Sequence, residues 1–504
     1  MQQVESHKSE LYERGLEEKA KPVAERDQEV YKNYNKYKGE GGTDFNPSSK
    51  DDVQLALYGY AGIKLPSDDK YLNKSGKELL AANYGDDSVL NYTSYTTGKE
   101  AMEYLTINHP DIKLVSLLQE YNKINKLRTT YTQSLLDKAD SKDVIHGKLN
   151  AVGTATGRLS SSDPNLQNFP THINDPRRFD YNYPIKSAIV PNYEKGHDVL
   201  IMADYSAQEV LMAALISGDS HLIKAFKEGR DMHTLVASMA FGIPEDEVPK
   251  DIRKQAKAVT FGILYGKNTD MLYKDMTVRN EDMSERPMTE DEGKELVRKY
   301  FNAFPKFKKI INEYQDFLKN NGYIDIPFLG LQRKINEIWS SSFVDRQGAL
   351  RQALNSAVQG SAAGATQLAL INVDHALKAL KLDANITVTV HDSIVVSTKR
   401  ELLPKVIHVM ERSMSELNNP MLDVVIDGKP ERLKLAVEID ISEQYNDERP
   451  YVEDEIVNAR TTEGYFKYYD RVQKIKDKHS YKLISDEEYE EDMSELEAHK
   501  HDFF

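Results

Sequence analysis

A polar break in a regular β pattern is the feature that most constrains the fold. Residues 386–396 read ITVTVHDSIVV, in which apolar and polar side chains alternate up to His391 and Asp392 and apolar ones then resume. Alternation with a period of two is typical of a strand with one buried face, and a short polar break between two such runs is typical of a hairpin. The pattern predicts an antiparallel strand pair with His391 and Asp392 at its turn.

A second carboxylate is predicted at the end of another strand. Residues 199–203 form a short apolar run that stops at Asp204, and residues 209–216 follow with helix-forming composition. If the two strand ends meet, Asp204 and Asp392 repel each other by about 4 kcal/mol at about 4 Å and an effective dielectric near 20. Magnesium ions would compensate this charge and support in-line phosphoryl transfer. Alternatively, each aspartate is an ordinary turn or cap residue, and a His–Asp pair also suggests a metal phosphohydrolase.

A row of cations and aromatic residues lies between these carboxylates in the chain. In RKQAKAVTFGILYG, residues 253–266, the members that recur every four positions are Arg253, Lys257, Phe261 and Tyr265. On a helix this spacing gives one slowly turning stripe. Arg and Lys one turn apart can bind the oxygens of a triphosphate, and the aromatic rings can stack on a base or pack on a sugar. The alternative is a solvated cationic face with Phe261 and Tyr265 in the core.

Composition narrows the chemistry and the compartment. The 504 residues suggest about three compact units. The chain has no cysteine, so disulfides and thiolate metal sites are excluded and any metal must be bound by oxygen or imidazole. No run approaches the roughly 18 apolar residues that span a bilayer, and the N-terminus lacks the apolar segment of a signal peptide. We therefore expect a cytoplasmic protein, or one of the host cytoplasm if the chain is viral, with no membrane partner.

The formal charge of −15 at first argues against a nucleic-acid partner. However, residues 451–504 contain 15 acidic and 8 basic residues, so almost half of the excess lies in this last segment. Basic residues cluster at 123–128, 177–178, 253–257 and 306–309. These clusters are candidate phosphate contacts, with ordinary solvated helix faces as the alternative.

Helical patterns account for much of the remaining chain. Residues 1–44 are highly charged and predict one or two exposed helices, and residues 112–135 form the longest amphipathic run before the first motif. Residues 209–340 are mostly helical in pattern, and Thr289 with Glu292 has the spacing of a capping box.

Four ordered motifs resemble those of family A DNA polymerases, over about residues 45–447. They are TATGRLSSSDPNLQNFP (154–170), ADYSAQEVLMAALISGD (203–219), RKQAKAVTFGILYG (253–266) and VTVHDSIVV (388–396). The resemblance implies a right-hand α/β multidomain fold with a helical thumb, helix-rich fingers and a palm with an antiparallel sheet. Its expected parts are an N-terminal charged helical segment (1–44), the thumb (45–150), the first part of the palm (151–208), the fingers (209–340), the second part of the palm (341–450) and an acidic C-terminal extension (451–504).

The resemblance also implies a reaction, the template-directed addition of deoxynucleotides to a primer 3′ end. Asp204 and Asp392 would bind two Mg²⁺ ions, with the carbonyl of Tyr205 nearby, and Lys257 would protonate the departing pyrophosphate. The residues implied to bind the incoming dNTP are Arg253, Lys257, His233 (in GRDMH, 229–233), Phe261, Tyr265, Glu209 and Tyr205. Those implied to contact primer-template DNA are Arg158, Arg351, Asn355, Gln359, His391, Gly266, Asn165, Gln167 and Asn168.

Glu209 occupies the family's sugar-gate position, where a bulky side chain would clash with a ribose 2′-hydroxyl and favour DNA synthesis.

Arg351, Asn355 and Gln359 lie four apart on one helix face. Minor-groove acceptors are shared by all correct base pairs, so these residues could hold a duplex of any sequence. The chain departs from the family pattern at Ser393, where many relatives have Glu.

Two further departures are Ala207-Gln208, where the family usually has Gln-Ile, and Leu211, where Arg is common.

The rival enzyme class is a single-subunit RNA polymerase, which Glu209 and PNLQN disfavour. The rival from another class is a catalytically silent primer-template binding subunit, which the presence of both aspartates and both cations disfavours.

The ends of the chain give weaker expectations. The residues before TATGRL are enough for a thumb but too few for a thumb and a proofreading exonuclease, so we expect no 3′ to 5′ exonuclease in this chain. A separate exonuclease subunit could then dock on residues 1–44. The compact layout without an exonuclease is the reason to expect a phage replicase. Leu496, Phe503 and Phe504 near the C-terminus could dock on a sliding clamp or another replisome protein. The alternative is a charged tail whose aromatic residues fold back on the body.

Overall fold

The computed structural model describes residues 1–21, 27–37, 42–170, 185–267, 269–279, 285–445, 449–452, 462–480 and 484–502. The basic cluster at 177–178 and the terminal Phe503 and Phe504 lie outside these residues. The chain divides into two compact units, Met1–Asp137 and Lys138–Phe504. No helix in the described ranges is both long and apolar enough to cross a membrane.

The first unit is helical, and apolar residues that recur at helical spacing bury one face of several of its helices. On its fifth helix, for example, Ala101, Met102 and Leu105 all enter the core of the unit. The helices are α1 (Gln2–Ala20), α2 (Gln28–Tyr37), α3 (Lys50–Gln54), α4 (Lys74–Ala82), α5 (Lys99–Asn108), α6 (Lys113–Lys126) and α7 (Gln133–Lys138). Two connecting turns are wound as π-helix, Leu55–Tyr60 and Leu127–Thr132.

Helix α1 is fixed to the rest of this unit. Lys8 Nζ lies 2.9 Å from Asp52 Oδ2, and the two side chains are only 7% and 6% exposed. Asp52 also accepts the backbone N–H of Asn46. Removing one partner of a buried pair leaves an unpaired charge and typically costs about 3–5 kcal/mol. The two predicted helices are present, but α1 is not simply exposed as predicted.

The second unit is built around an antiparallel sheet. The strands of the whole unit are β1 (Lys148–Asn150), β2 (Ser160–Ser162), β3 (Val199–Tyr205), β4 (Thr277–Arg279), β5 (Glu285–Pro287), β6 (Tyr323–Ile326), β7 (Leu331–Lys334), β8 (Ala384–Val390), β9 (Ser393–Thr398), β10 (Asp423–Ile426), β11 (Lys429–Arg432), β12 (Val437–Ser442) and β13 (Arg449–Pro450). Five of them form one sheet in the order β13–β12–β3–β9–β8, and every neighbouring pair in it is antiparallel. The hairpin predicted from residues 386–396 is therefore confirmed.

Strand β3 lies at the centre of this sheet and is buried on both faces. Ile201 and Ala203 enter the main core, whereas Leu200 and Met202 pack with Val395 on the opposite face. This two-sided burial explains why β3 is a continuous apolar run rather than an alternating one. It also fixes the position of the carboxylate that follows the run.

Helices cover the sheet and extend from it. They are α8 (Gln208–Ser217), α9 (Ser220–Lys227), α10 (Met232–Phe241), α11 (Lys250–Leu264), α12 (Glu290–Ala303), α13 (Pro305–Asn321), α14 (Phe343–Ala379), α15 (Leu403–Ser415), α16 (Thr462–Ser480) and α17 (Asp486–Ala498). The capping box predicted for Thr289 and Glu292 is formed at the start of α12. The predicted helix at 209–216 is also confirmed as α8.

The residues at two departures from the family pattern are accommodated by their surroundings. Ala207 is the N-cap of α8 and takes a left-handed backbone with φ of 51°, while the buried Gln208 donates to Thr366 Oγ1 at 3.4 Å. Leu211 is completely buried in the main core, where an Arg side chain would have to lose its hydration.

Candidate active site

The two predicted aspartates lie at neighbouring strand ends. The β3–β9 register pairs Ala203 with Ile394, which places Asp204 beside the turn between β8 and β9 that carries Asp392. Their carboxylates interact directly. Although the Asp204 side chain keeps contact with solvent, desolvation by the surrounding protein together with the charge of Asp392 raises its pKa to about 7. Two carboxylates forced together in this way favour a bound cation.

The turn itself is tight and left-handed at its first residue. His391 has a φ of 57°, and Val390 pairs with Ser393 across the turn. A positive φ is uncommon outside glycine and marks a backbone held by its surroundings. Ser393 Oγ donates to the carbonyl of Val390 at 2.9 Å, so this side chain closes the turn.

Strand β12 brings a third carboxylate that sequence reasoning missed. Glu438 is the register partner of Asp204 across the β3–β12 pair, and its charge also contributes to the raised pKa of Asp204. Directly opposed residues on one face of a sheet have Cβ atoms about 4.5–5.5 Å apart. No local signal in the sequence indicated this proximity, because it depends on which strands pair.

The donor set fits magnesium. Oxygen ligands suit Mg²⁺, which is commonly held by one or two carboxylates together with water and substrate phosphates. Asp204 and Asp392 supply such a pair. In the part of the chain that the structure describes, no group of three or more His, Asp or Glu side chains is assembled so as to hold a metal by itself. The remaining ligands would therefore come from backbone, water or substrate.

The cationic and aromatic stripe is formed on α11, as predicted. The rings of Phe261 and Tyr265 stack with centroids 5.5 Å apart, and Lys257 Nζ lies 5.8 Å from the Phe261 centroid. His233 on α10 joins the row, with its ring 5.6 Å from that of Phe261. Tyr265 is the C-cap of α11, so the stripe continues to the helix end.

A pocket of about 500 Å³ connects this stripe with the strand ends. Its lining residues include Tyr205, Asp231, His233, Arg253, Lys257 and Glu438. Tyr205 directly follows Asp204, and its hydroxyl donates to the carbonyl of Met414 at 2.8 Å, which anchors the strand end in the core. Cations and carboxylates thus face one cavity of a size suited to a small anionic ligand.

His233 is neutral in this pocket. Burial, followed by the charges of Lys257 and Arg253, lowers its pKa to about 4. Its Nδ1 atom is buried and makes no hydrogen bond. A buried polar atom without a partner is uncommon and indicates a position where a ligand can bond.

Glu209 links two other predicted site residues. Its Oε1 accepts a hydrogen bond from Arg158 Nη2 at 2.5 Å, and its side chain is 8% exposed. Burial raises the pKa of Glu209, while the neighbouring Tyr265 hydroxyl and Arg158 partly offset this rise. Oε2 makes no hydrogen bond. The structure therefore places Arg158, Glu209 and Tyr265 in one cluster.

Helix α14 is attached to the end of α11. Asn355 Nδ2 donates to the carbonyl of Leu264 at 2.9 Å. Gly266 has a φ of 68°, and a Cβ atom on it would lie 2.2 Å from the carbonyl oxygen of Arg351. Arg351 is exposed, whereas Asn355 and Gln359 are half-buried on the same helix.

The remaining predicted contacts lie near the sheet. Gln167 donates its side-chain amide to the carbonyl of Thr389 on β8 at 3.1 Å, one residue before Val390. Asn165 accepts the N–H of Gln167 and caps the short turn that ends at Asn168, which is exposed. In this conformation Gln167 and Asn165 bond to the protein itself.

Comparison with known proteins decides the family. The model of DNA polymerase family A matches residues 14–447. The chain belongs to DNA polymerase family A. Its fold is the mixed α/β fold of a polymerase domain, since this family A chain aligns with the POL domain of Pol1 from M. smegmatis, solved in complex with DNA primer-template and dNTP. That match has a TM-score of 0.62 at 26% identity and covers 88% of this chain and 66% of that chain.

Relatives of this family A chain come from bacteria and from a phage. DNA polymerase I of Caldicellulosiruptor bescii is 36% identical over 338 residues, which is 67% of this chain and 37% of the relative. DNA polymerase I of Borreliella burgdorferi is 31% identical over 77% of this chain and 38% of its own length. The DNA polymerase of Bacillus phage SP01 is 32% identical over 68% of this chain and 36% of its own length. The chain thus spans less than two fifths of the length of these relatives.

Helices α16 and α17 lie beyond the residues that the family A model matches. Tyr465 and Phe466 of α16 are buried in the main core, and Arg449 forms an ion pair with Asp470. Leu496 of α17 is only 7% exposed and packs with residues of α16. This burial favours the alternative in which Leu496 packs on the protein itself.

Proposed function

We propose that this chain is a template-directed DNA polymerase that adds deoxynucleotides to a primer 3′ end. The observation that carries the proposal is the meeting of Asp204 and Asp392 at neighbouring strand ends, beside a pocket lined by Arg253, Lys257 and His233. Paired carboxylates beside a cationic pocket suit the transfer of a nucleotidyl group from a triphosphate. The family membership supports the same reaction.

The proposed mechanism assigns a task to each side of the pocket. Asp204 and Asp392 would hold two Mg²⁺ ions, which when bound activate the attacking oxygen and stabilise the leaving oxygen. Arg253 and His233 would bind phosphate oxygens, and the unbonded Nδ1 of His233 supports this role. Lys257 would donate a proton to the departing pyrophosphate. The Tyr205 carbonyl is proposed as a further metal ligand.

The sugar and base would be positioned by α11 and α8. Phe261 would pack on the deoxyribose, and Tyr265 with Gly266 would lie at the templating position. Glu209 would exclude a 2′-hydroxyl, and its burial against Arg158 supports a rigid barrier there. Arg158, Arg351, Asn355, Gln359, His391, Gln167 and Asn168 are proposed to follow the duplex and the primer end.

The biological setting is a finer proposal. Similarity to the Bacillus phage SP01 polymerase supports a phage replicase, while similarity to bacterial DNA polymerase I supports a bacterial role equally. A separate exonuclease subunit and a clamp contact through the C-terminal residues also remain proposals, as do the thumb, fingers and palm boundaries given above. Extension lengths measured in single binding events, with trap DNA present, would distinguish a processive replicase from a distributive repair enzyme.

Primer extension tests the proposed reaction. A labelled primer-template is incubated with Mg²⁺ and either dNTPs or rNTPs, using wild type, Asp204→Ala and Asp392→Ala, with the exposed Glu411→Ala of α15 as the matched control. We expect wild type and Glu411→Ala to extend with dNTPs, and both aspartate variants to bind DNA without extending it. DNA binding by a folded wild type that never extends would overturn the proposal in favour of a binding subunit, and extension with rNTPs alone would indicate an RNA polymerase.

A further inference from the structure

Asp231 makes two kinds of contact at the edge of the pocket. One carboxylate oxygen, Oδ1, accepts the backbone N–H groups of His233 at 2.9 Å and Thr234 at 2.8 Å, so it caps the N-terminus of α10. Capping by Asp satisfies backbone donors that a helix start otherwise leaves unpaired. Asp231 therefore fixes the first turn of α10, where His233 lies.

The other oxygen, Oδ2, binds Arg253. It accepts from Arg253 Nη2 at 2.6 Å and from Nε at 3.2 Å. These two nitrogens lie along one edge of the planar guanidinium, which carries five N–H donors in a fixed arrangement. The edge formed by Nη1 and the second N–H of Nη2 is left for another acceptor. Carboxylate and phosphate can thus be bound by the same guanidinium at different edges.

We propose that Asp231 is a positioning residue that orients Arg253 and His233 together for the triphosphate. The proposal rests on the proposed polymerase function and adds a residue that sequence reasoning did not select. Asp231, His233 and Arg253 all line the same pocket, and the carboxylate of Asp231 is the bonded link between α10 and the Arg253 side chain of α11. Its negative charge opposes an anion, so its benefit must come from geometry.

A neighbouring ion pair provides a matched control. Arg230 also lines the pocket and pairs with Glu245, at exposures similar to those of the Asp231–Arg253 pair. Exposed ion pairs contribute little to stability in general. Glu245→Ser therefore removes a comparable charge near the pocket without affecting Arg253.

The experiment compares Asp231→Ser with Asp231→Ala, alone and combined with Arg253→Ala. Serine keeps an oxygen that can cap α10 but is too short to reach the guanidinium. The dissociation constant of dNTP is measured on a dideoxy-terminated primer-template, and KM and kcat on an extendable one. We expect Asp231→Ser to raise the dissociation constant and KM about tenfold with a smaller change in kcat, and Asp231→Ala to lower the melting temperature as well.

The double variants decide how Asp231 acts. If it acts through Arg253, Asp231→Ser changes the dissociation constant less than twofold in the Arg253→Ala background. An equal loss in both backgrounds, a loss matched by Glu245→Ser, or tighter nucleotide binding by Asp231→Ser would each overturn the inference. Normal extension with an unchanged dissociation constant would remove the inference alone. Absence of nucleotide binding by the wild type would remove both the inference and the proposed function.

Discussion

Glu438 on β12 is the register partner of Asp204 on β3. The carboxylate that the sequence lacks at Ser393 is thus present near the site, but it arrives from a different strand. Because Glu438 also lines the pocket of Arg253 and Lys257, its charge would act both on the proposed metal site and on an anionic ligand of that pocket.

Glu438→Gln should weaken magnesium binding. Loss of one negative charge beside Asp204 removes attraction for a divalent ion, and we expect the Mg²⁺ concentration for half-maximal extension to rise about three- to tenfold. A Mg²⁺ titration of primer extension measures this, and Mn²⁺ binding followed by electron paramagnetic resonance measures it without activity. Glu411→Gln is the control, and equal Mg²⁺ dependence of both variants would contradict the assigned effect of Glu438.

Asp204→Asn should stabilise the metal-free protein at pH 8. The pKa of Asp204 is raised from its ordinary value of 3.8 to about 7. The folded state therefore holds the proton more tightly than the unfolded state, and the stability that this gives below about pH 4 is lost as the pH rises to about 7. Because solvent screens this exposed carboxylate, removing the ionisable group should raise the melting temperature by only about 1–2 °C at pH 8 in a chelating buffer.

The same substitution should have no benefit near pH 4, where Asp204 is protonated in the folded protein. Asp198→Asn is the contrasting control, because the Asp198 carboxylate accepts the Arg400 N–H at 2.9 Å and its loss should not stabilise. A lower melting temperature for Asp204→Asn at pH 8 would show that the carboxylate is not destabilising there.

Glu209→Ala should relax sugar selection. The buried Glu209 side chain fills the space that a 2′-hydroxyl would need in the proposed site, so its truncation should increase rNTP incorporation relative to dNTP by about 10- to 1,000-fold, at 1.4 kcal/mol per tenfold. Competitive single-nucleotide incorporation measures the ratio. Glu209→Gln keeps the volume and should retain most of the discrimination; equal loss in both variants would assign the effect to charge rather than to bulk.

Gly266→Ala should be more damaging than Gly242→Ala. Both glycines have a φ of 68°, but a Cβ atom on Gly242 meets nothing within 4 Å, whereas on Gly266 it overlaps the Arg351 carbonyl. Alanine in a left-handed conformation costs about 1 kcal/mol at either position, and overlap at Gly266 should add about 1–3 kcal/mol. Urea unfolding of both variants measures the difference. Similar losses would mean that α14 and α11 are not in close contact in solution.

Much of the site was predictable because its signals are local. The row from Arg253 to Tyr265 follows helical spacing, and the turn at His391 and Asp392 interrupts an alternating pattern, so both could be placed from sequence alone. Glu438 could not be placed, because its proximity to Asp204 requires knowledge of strand order and register.

The other misses have similar causes. Asp231 is recognisable as an N-cap, but its bond to Arg253 depends on how α10 and α11 pack. The choice between docking and packing could not be made for Leu496, because an isolated apolar residue in a charged segment gives no indication of whether it is buried. The π-helical turn at Leu127–Thr132 could not be predicted, because the apolar pattern continues with helical spacing on both sides of it.

The central position of β3 determines when the strand that carries Asp204 can unfold. Val199, Leu200, Ile201 and Ala203 are at most 1% exposed, and the strand is paired on both sides. Amide protons of such a strand usually exchange with solvent only when the whole domain unfolds. The segment that carries Asp204 should therefore be among the last to unfold. A destabilising substitution elsewhere in the second unit should reduce the fraction of folded molecules, while each molecule that stays folded keeps the same affinity for metal.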